Sequence, residues 1–292
     1  MQISETDLIL NPDGSVYHLN LRPEQIAETI IVVGDQDRVP MVSKYFDSVE
    51  FIAQKREFVT HTGYLGGKKI SVISSGIGTD NVEILMNELD ALVNIDFDTR
   101  KVKGKHTTLN IIRIGTSGSL QSDIPVDSFV VSERAIGIDG LNDFYEIDEA
   151  IFESNLCNQL KNELNLRVQP YEVNASEALF KLFFNQNKEN FFNGITLTCA
   201  GFYAPQGRTV RYKSRIPGLL QKLQNFRVEN ANRLTNLEME TAGYYLFGQL
   251  LGHEMLSLNA ILANRITNRF SKIPDKQVDT LIQFALEKVK YL

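Results

Sequence analysis

Two short segments set a guanidinium near a glycine at the end of an apolar run. In Val33-Gly34-Asp35-Gln36-Asp37-Arg38-Val39 the arginine follows the glycine by four residues. In Arg113-Ile114-Gly115-Thr116-Ser117-Gly118-Ser119 it precedes a small, hydroxyl-rich stretch. Backbone donors beside a guanidinium suit a tetrahedral dianion such as phosphate. Two further segments carry different chemistry. Phe202-Tyr203-Ala204-Pro205-Gln206-Gly207-Arg208 combines an aromatic face with two side chains suited to an amide-like edge. Asn236-Leu237-Glu238-Met239-Glu240-Thr241-Ala242 places a methionine and a carboxylate at a strand-to-helix junction.

The elements that must position these residues alternate between strand and helix. Thr29–Val33 is a β-branched run ending on Gly34, with a helix from about Val39. Phe58–Leu65 and Lys69–Ser74 pair as strands across Gly66-Gly67. After Gly76-Ile77-Gly78, residues Asn81–Leu92 repeat apolar positions at helical spacing. Leu109–Ile114 is a buried strand expected to end on a turn at Gly115–Gly118, and Ser128–Ser132, Gly194–Cys199 and Met255–Ala263 continue the strand series. Lys276–Leu292 is a closing amphipathic helix, and Asn94–Thr108, with no clear pattern, is expected to be an inserted surface loop. Three strands therefore run into glycine-containing turns, the edge at which open α/β sheets bind ligands. With no repeat and no Pro/Gly-rich linker, residues 1–292 form a single domain on this reading.

Composition narrows the partners. A net charge of −6 and the lack of a long Lys/Arg run speak against nucleic acid or an anionic membrane. Cys157 and Cys199 are far apart, without metal-type spacing, and point to a reducing, cytoplasmic setting. The start has neither a basic segment nor an apolar core, and no run approaches the ~18 apolar residues of a membrane span. Gly76-x-Gly78 has Asn81 where a dinucleotide fingerprint needs its third glycine, and no P-loop is present. The histidines His18, His61, His106 and His253 show no metal-binding spacing, so no metal is expected.

Taken together, the G-D-x-D-R-V, R-I-G-T-S-G, F-Y-x-x-Q-G-R and E-M-E-T-A segments, with Asn264-Arg265, His18 and Arg56, resemble the nucleoside phosphorylases of the uridine phosphorylase branch. The resemblance runs in consistent order from about Val16 to the final helix. It implies a three-layer α/β/α fold around a central mixed, twisted sheet. It also implies phosphorolysis of a pyrimidine nucleoside to free base and ribose 1-phosphate, in a homodimer or hexamer whose subunits share active sites. In that reading Gly34, Arg38, Arg113 and Thr116 bind phosphate, with Arg56 arriving from a neighbouring subunit. Met239 and Glu240 hold the ribose, and the neighbour's His18 touches its 5′ end. Phe202, Gln206 and Arg208 grip the base, with Arg265 supporting their loop. The residues expected to carry the chemistry are Arg113, Glu240, Gln206 and Arg208.

Purine-specific members of the family place an aspartate after the last core strand to protonate the leaving base. Here that stretch, Leu262–Arg269, holds no carboxylate, which favours a pyrimidine. The alternatives are a purine or broad-specificity phosphorylase and a non-catalytic homologue that keeps the anion site. The resemblance brings no organic cofactor, only phosphate as co-substrate. Family members can hold a monovalent cation between subunits, and the positions matching that site are Glu57, Ile77 and Asn81. Asn81 replaces a serine there, and Gln36 replaces the proline usual in the first phosphate turn.

Overall fold

The computed structural model describes residues 2–147, 154–184, 188–227 and 233–292. Its strands are β1 (Thr29–Val33), β2 (Ser48–Lys55), β3 (Phe58–Leu65), β4 (Lys68–Ser74), β5 (Ile95–Asp96), β6 (Lys101–Val102), β7 (Asn110–Ser119), β8 (Phe129–Gly137), β9 (Tyr171–Asn174), β10 (Phe191–Thr198), β11 (Leu234–Glu238), β12 (Glu254–Asn264) and β13 (Arg269–Phe270). The helices are α1 (Arg38–Ser43), α2 (Thr79–Asn94), α3 (Asn155–Leu164), α4 (Glu177–Phe183), α5 (Leu219–Asn225), α6 (Thr241–Leu251) and α7 (Pro274–Val289).

All strands but the β5–β6 hairpin belong to one mixed sheet, ordered β13-β12-β8-β10-β11-β7-β1-β4-β3-β2, with β9 on β8. The run of five buried residues in β1 shows why helices must cover both faces. Alternate side chains of a strand point to opposite faces. Ile30 and Val32 pack with α2 and α6, while Ile31 and Val33 pack with α1, α4 and α7. A strand that is apolar on both faces cannot sit at a wet surface, which gives the α/β/α layering. A third cluster joins α3 and α5 to β10 and β11. Among the described residues no helix is long and apolar enough to cross a membrane.

Part of the sheet closes on itself. β12 pairs parallel with β7 along most of its length and antiparallel with β8. Strands β12, β8, β10, β11 and β7 thus form a ring, from which β1, β4, β3 and β2 extend as an open arm.

Two local expectations are corrected. The strand expected to stop at Ile114 runs on to Ser119, so Gly115–Gly118 is not a turn. Residues 116–119 are held extended by β12, and neither Gly115 nor Gly118 has a positive φ. The true glycine turns are at Gly34, after β1, and at Gly76 and Gly78, after β4. Gly76 and Gly78 have φ +74 and +98, a region that side chains with a Cβ rarely enter. The Asn94–Thr108 segment is also more ordered than a bare loop. It carries the β5–β6 hairpin, and Asn94 ties its far end by accepting from the Thr107 N–H (2.7 Å) and donating to the Thr107 carbonyl (3.1 Å).

Candidate active site

The glycine turns, the end of β7 and the β11–α6 junction converge on a cavity of about 590 Å³. Its walls include Gly34, Arg38, Arg113, Thr116, Phe202, Gln206, Arg208, Met239 and Glu240. Nine of the twelve residues that the sequence assigns to phosphate, ribose or base therefore line one space. Arg265 stands behind that wall, and Arg56 and His18 lie elsewhere on the chain.

Arg113 is the buried centre of the site. Its guanidinium donates to Glu240 Oε2 at 2.6 Å and lies 3.1 Å from Glu238 Oε2. The other side of the fork reaches Ser257 Oγ (3.2 Å) and Asn259 Oδ1 (3.3 Å) on β12. Gly115 makes room for this geometry, since a Cβ there would lie 2.1 Å from Arg113 Nη1. Burial alone would lower the Arg113 pKa, but Glu238 and Glu240 outweigh it and raise it, so the group stays cationic.

The two carboxylates are held differently. Glu238 accepts from the Thr198 hydroxyl (2.7 Å), the Glu240 and Thr241 N–H groups (3.0 and 2.9 Å) and the Thr241 hydroxyl (2.9 Å). It thereby satisfies N–H groups at the α6 start that the helix leaves unpaired. Glu240 instead accepts the Gly78 N–H at 2.9 Å and pairs with Arg113 on the cavity wall. Its pKa is raised, chiefly by burial and further by Glu238, with Arg113 opposing.

At one end of the cavity, Arg38 donates to the Ile114 carbonyl at 3.3 Å, which lays its guanidinium against the middle of β7. Burial lowers its pKa, Asp35 opposes that shift and Arg113 adds to it. No carboxylate lies within ion-pair distance of Arg38 among the described residues. At the opposite end, Arg208 donates to the Phe202 carbonyl (2.6 Å) and to Gln206 Oε1 (2.7 Å). Its guanidinium carbon stacks 3.6 Å from the Phe202 ring centroid. With Oε1 occupied, buried Gln206 has its NH₂ left for a ligand. Arg265 donates to the Gln206 carbonyl at 3.1 Å. Burial, reinforced by Arg265, pushes the Arg208 pKa down to about 10. Leu262, Ala263 and Phe270 add apolar wall.

Asn264, which stands in the stretch where purine-specific members carry their acid, is fully used by the fold. Its NH₂ donates to the Gln121 and Ile124 carbonyls, and its oxygen accepts from the Ile266 and Thr267 N–H groups.

The remaining two residues sit away from their own chain's cavity. Arg56 is exposed in the β2–β3 turn at φ +55. His18 is fixed by Glu88 of α2, whose carboxylate accepts the His18 and Leu19 N–H groups (3.0 and 2.8 Å) and contacts His18 Nδ1 at 2.6 Å. With Nδ1 donating to the carboxylate, Nε2 is the ring's free face. The three cation-site positions do gather beside Gly76, where a Cβ would meet Asn81 and Glu57. The Asn81 amide, however, donates to the Ile77 carbonyl (3.3 Å), the oxygen a cation would need.

A cluster of Asp90, His106 and His253 lies outside this site. The Leu109 N–H donates to His253 Nδ1 (3.2 Å), which commits that lone pair to the fold, and His253 Nε2 lies 3.3 Å from Asp90.

Sequence reasoning passed over Glu238, Gly115, Glu88 and Phe270. Glu238 was visible as the first acid of the Glu238-Met239-Glu240 motif. The partners of Gly115 and Glu88 are side chains that only the fold brings near, and Phe270 lies on a two-residue strand with no periodicity of its own.

The cavity lies at the strand ends of an α/β sheet, with Arg38 and Arg113 toward one end and the Gln206 amide and Arg208 guanidinium toward the other, an arrangement suited to an enzyme that takes an anion and a polar ring compound side by side. The comparisons with known proteins give it a family. The Phosphorylase superfamily model matches residues 28–290, so the chain belongs to that superfamily. It is similar to the uridine phosphorylase of Thermococcus kodakarensis, 30% identical over 285 residues, covering 96% of this chain and 87% of the relative. A DeoD-type purine nucleoside phosphorylase of Caldanaerobacter subterraneus is 25% identical over 276 residues, covering 92% of this chain and 98% of the relative. Among solved structures, a Trypanosoma brucei nucleoside phosphorylase described as showing uridine phosphorylase activity superposes with a TM-score of 0.85 at 26% identity, covering 98% of this chain and 100% of that one.

Proposed function

We propose that this enzyme cleaves a pyrimidine nucleoside, uridine in the first instance, with inorganic phosphate to give the free base and ribose 1-phosphate. The observation that carries the reading is the Phe202–Gln206–Arg208 wall. It offers an amide NH₂ and a guanidinium with no carboxylate partner among the described residues. Two adjacent donors suit the carbonyl-rich edge of a pyrimidine.

Phosphate, bound by Gly34, Arg38, Arg113 and Thr116, is held against the ribose by position and charge rather than by a dedicated base. Its oxygen forms the new bond to C1′ as the bond from C1′ to the base nitrogen breaks. The electron pair leaves with the base and spreads onto its carbonyl oxygens, where Gln206 and Arg208 donate. Glu240 accepts from the ribose hydroxyls, and Met239 packs against the sugar. No acid is needed on the base, in keeping with an Asn264 that is already saturated. Arg56 and the Glu88-held His18 complete the site from a neighbouring copy, and no organic cofactor takes part.

A substrate panel with and without phosphate tests the reading. Uridine should be cleaved only with phosphate or arsenate, giving ribose 1-phosphate in the first case, and faster than inosine. Equal base release in phosphate-free buffer would move the protein to the hydrolases. Preference for inosine would leave the purine alternative standing.

A further inference from the structure

A chain of hydrogen bonds runs across the ring of strands from Arg113 to Ser117. Arg113 Nη1 donates to Asn259 Oδ1 (3.3 Å), and Asn259 Nδ2 donates to Ser132 Oγ (3.3 Å). Ser132 Oγ lies 2.6 Å from Thr196 Oγ1, Thr196 donates to Asn236 Oδ1 (2.9 Å), and Asn236 Nδ2 donates to Ser117 Oγ (2.9 Å). All of these residues but Ser117 are buried.

The arginine decides which way the protons of this chain point. A guanidinium can only donate, so it draws the Asn259 oxygen to itself and turns the NH₂ toward Ser132. Thr196 has one hydroxyl proton and gives it to Asn236, so the Ser132 hydroxyl donates to Thr196. The Asn236 oxygen, approached also by the Thr235 hydroxyl (2.8 Å), is thereby occupied, and its NH₂ faces Ser117. Turning the Asn259 amide would set donor against guanidinium, and turning that of Asn236 would leave the buried Thr196 proton unpaired, which is costly. Ser117 therefore accepts from inside the fold and keeps its own proton to donate. That proton has no acceptor among the described residues, and Ser117 lines the cavity. The next residue, Gly118, packs on Arg265, whose guanidinium holds the Gln206 carbonyl, so this stretch of β7 lies beside the Gln206–Arg208 wall.

We infer that Ser117 is a further specificity-determining residue that donates to a carbonyl oxygen of the base, and that Asn236 is the positioning residue that keeps this donor turned to the cavity. A free hydroxyl can donate or accept; one held in this way is left to donate, which suits a carbonyl oxygen and not a ring N–H. The inference rests on the pyrimidine reading above.

Ser117→Ala should raise uridine KM about tenfold, the loss of one hydrogen bond, with phosphate KM unchanged. Ser117→Thr, which keeps the hydroxyl, should restore it. The ratio of variant to wild-type KM should fall to near unity on 2-thiouridine or on 4-thiouridine, whichever sets sulfur, a poor acceptor, where Ser117 meets the base. Asn236→Asp should turn the Ser117 proton inward onto the carboxylate and cost the same on uridine, with Ser117→Ala adding nothing further to it. An unchanged uridine KM in Ser117→Ala overturns the proposal, as does a rise shared by phosphate KM or by both thio analogues, whether or not Asn236→Asp folds. A wild-type protein that does not cleave uridine overturns the pyrimidine reading instead.

Discussion

The cavity and the β2–β3 rim handle their functional side chains in opposite ways. Arg113 is immobilised by two carboxylates, a serine and an asparagine, with a glycine cut to its shape. Arg56, by contrast, stands exposed on a turn at the end of the sheet's open arm, next to the edge strand β2, which shows Val49 and Ile52 to solvent. His18 is aimed by Glu88, yet at nothing in its own chain's cavity. A preorganised charge inside and two side chains set away from the cavity fit the proposed site divided between chains, in which a second copy supplies the rim.

The sharpest way to break this contrast is at its centre. Arg113→Ala should lower kcat/KM by about 10²–10³, the usual cost of losing an electrostatic clamp. It should also destabilise the fold by about 3–5 kcal/mol, because two buried carboxylates lose their counter-charge. Steady-state rates at saturating phosphate and a urea melt read both; near-normal turnover would make Arg113 merely structural. At the far end of the cavity, Gln206→Ala should narrow the preference for uridine over inosine by about 10- to 100-fold, with the fold intact. An unchanged ratio of kcat/KM values would remove Gln206 from base selection.

The rim is tested by mixing. Arg56→Ala and Arg113→Lys should each be nearly inactive, since a lysine cannot reproduce the guanidinium fork. In a dimer with reciprocal sites, a mixed pair carries both lesions in one site and none in the other. Random co-refolding should therefore restore up to about one quarter of wild-type activity. No recovery despite proven subunit exchange would return Arg56 to its own chain.

The smallest effect concerns pH. Glu240 has a raised pKa, so in the window above its ordinary value of 4.5 the folded state holds more protons than the unfolded state. Its ionisation therefore costs stability as pH rises through that window. Glu240→Gln should flatten this part of the melting-temperature profile while removing activity. A profile that keeps the wild-type slope would assign it to another group.

The sequence made β1 and β3 legible to the residue, because β-branched runs bounded by glycine leave little choice. It showed β11, Leu234–Glu238, only by its end, at the strand-to-helix junction of Asn236–Ala242, and left its start unmarked, because its Thr, Asn and Glu are all buried. Their polarity is answered across strands, by Thr196 donating to Asn236 and Thr198 donating to Glu238, and such a ladder has no hydrophobic period to detect. β2 was hidden for the opposite reason, being largely exposed. Within the site, the motifs brought the cavity residues forward but misread the β7 segment as a turn. Glycine suggested a bend, whereas Gly115 serves to clear space for an arginine two residues back.

The closed ring of strands also bears on how the chain is made. Arg113 emerges from synthesis long before Ser257 and Asn259, its partners on β12, and the closing contact spans 144 to 146 residues. Pairings that distant form late and slowly. A nascent chain stopped before Glu254 holds the first arginine turn and the base loop, yet lacks the strand that joins β7 to β8. Ligand-dependent protection from protease on stalled chains should therefore appear only after β12 has left the ribosome, which makes the C-terminal third of the polypeptide the timekeeper of the whole enzyme.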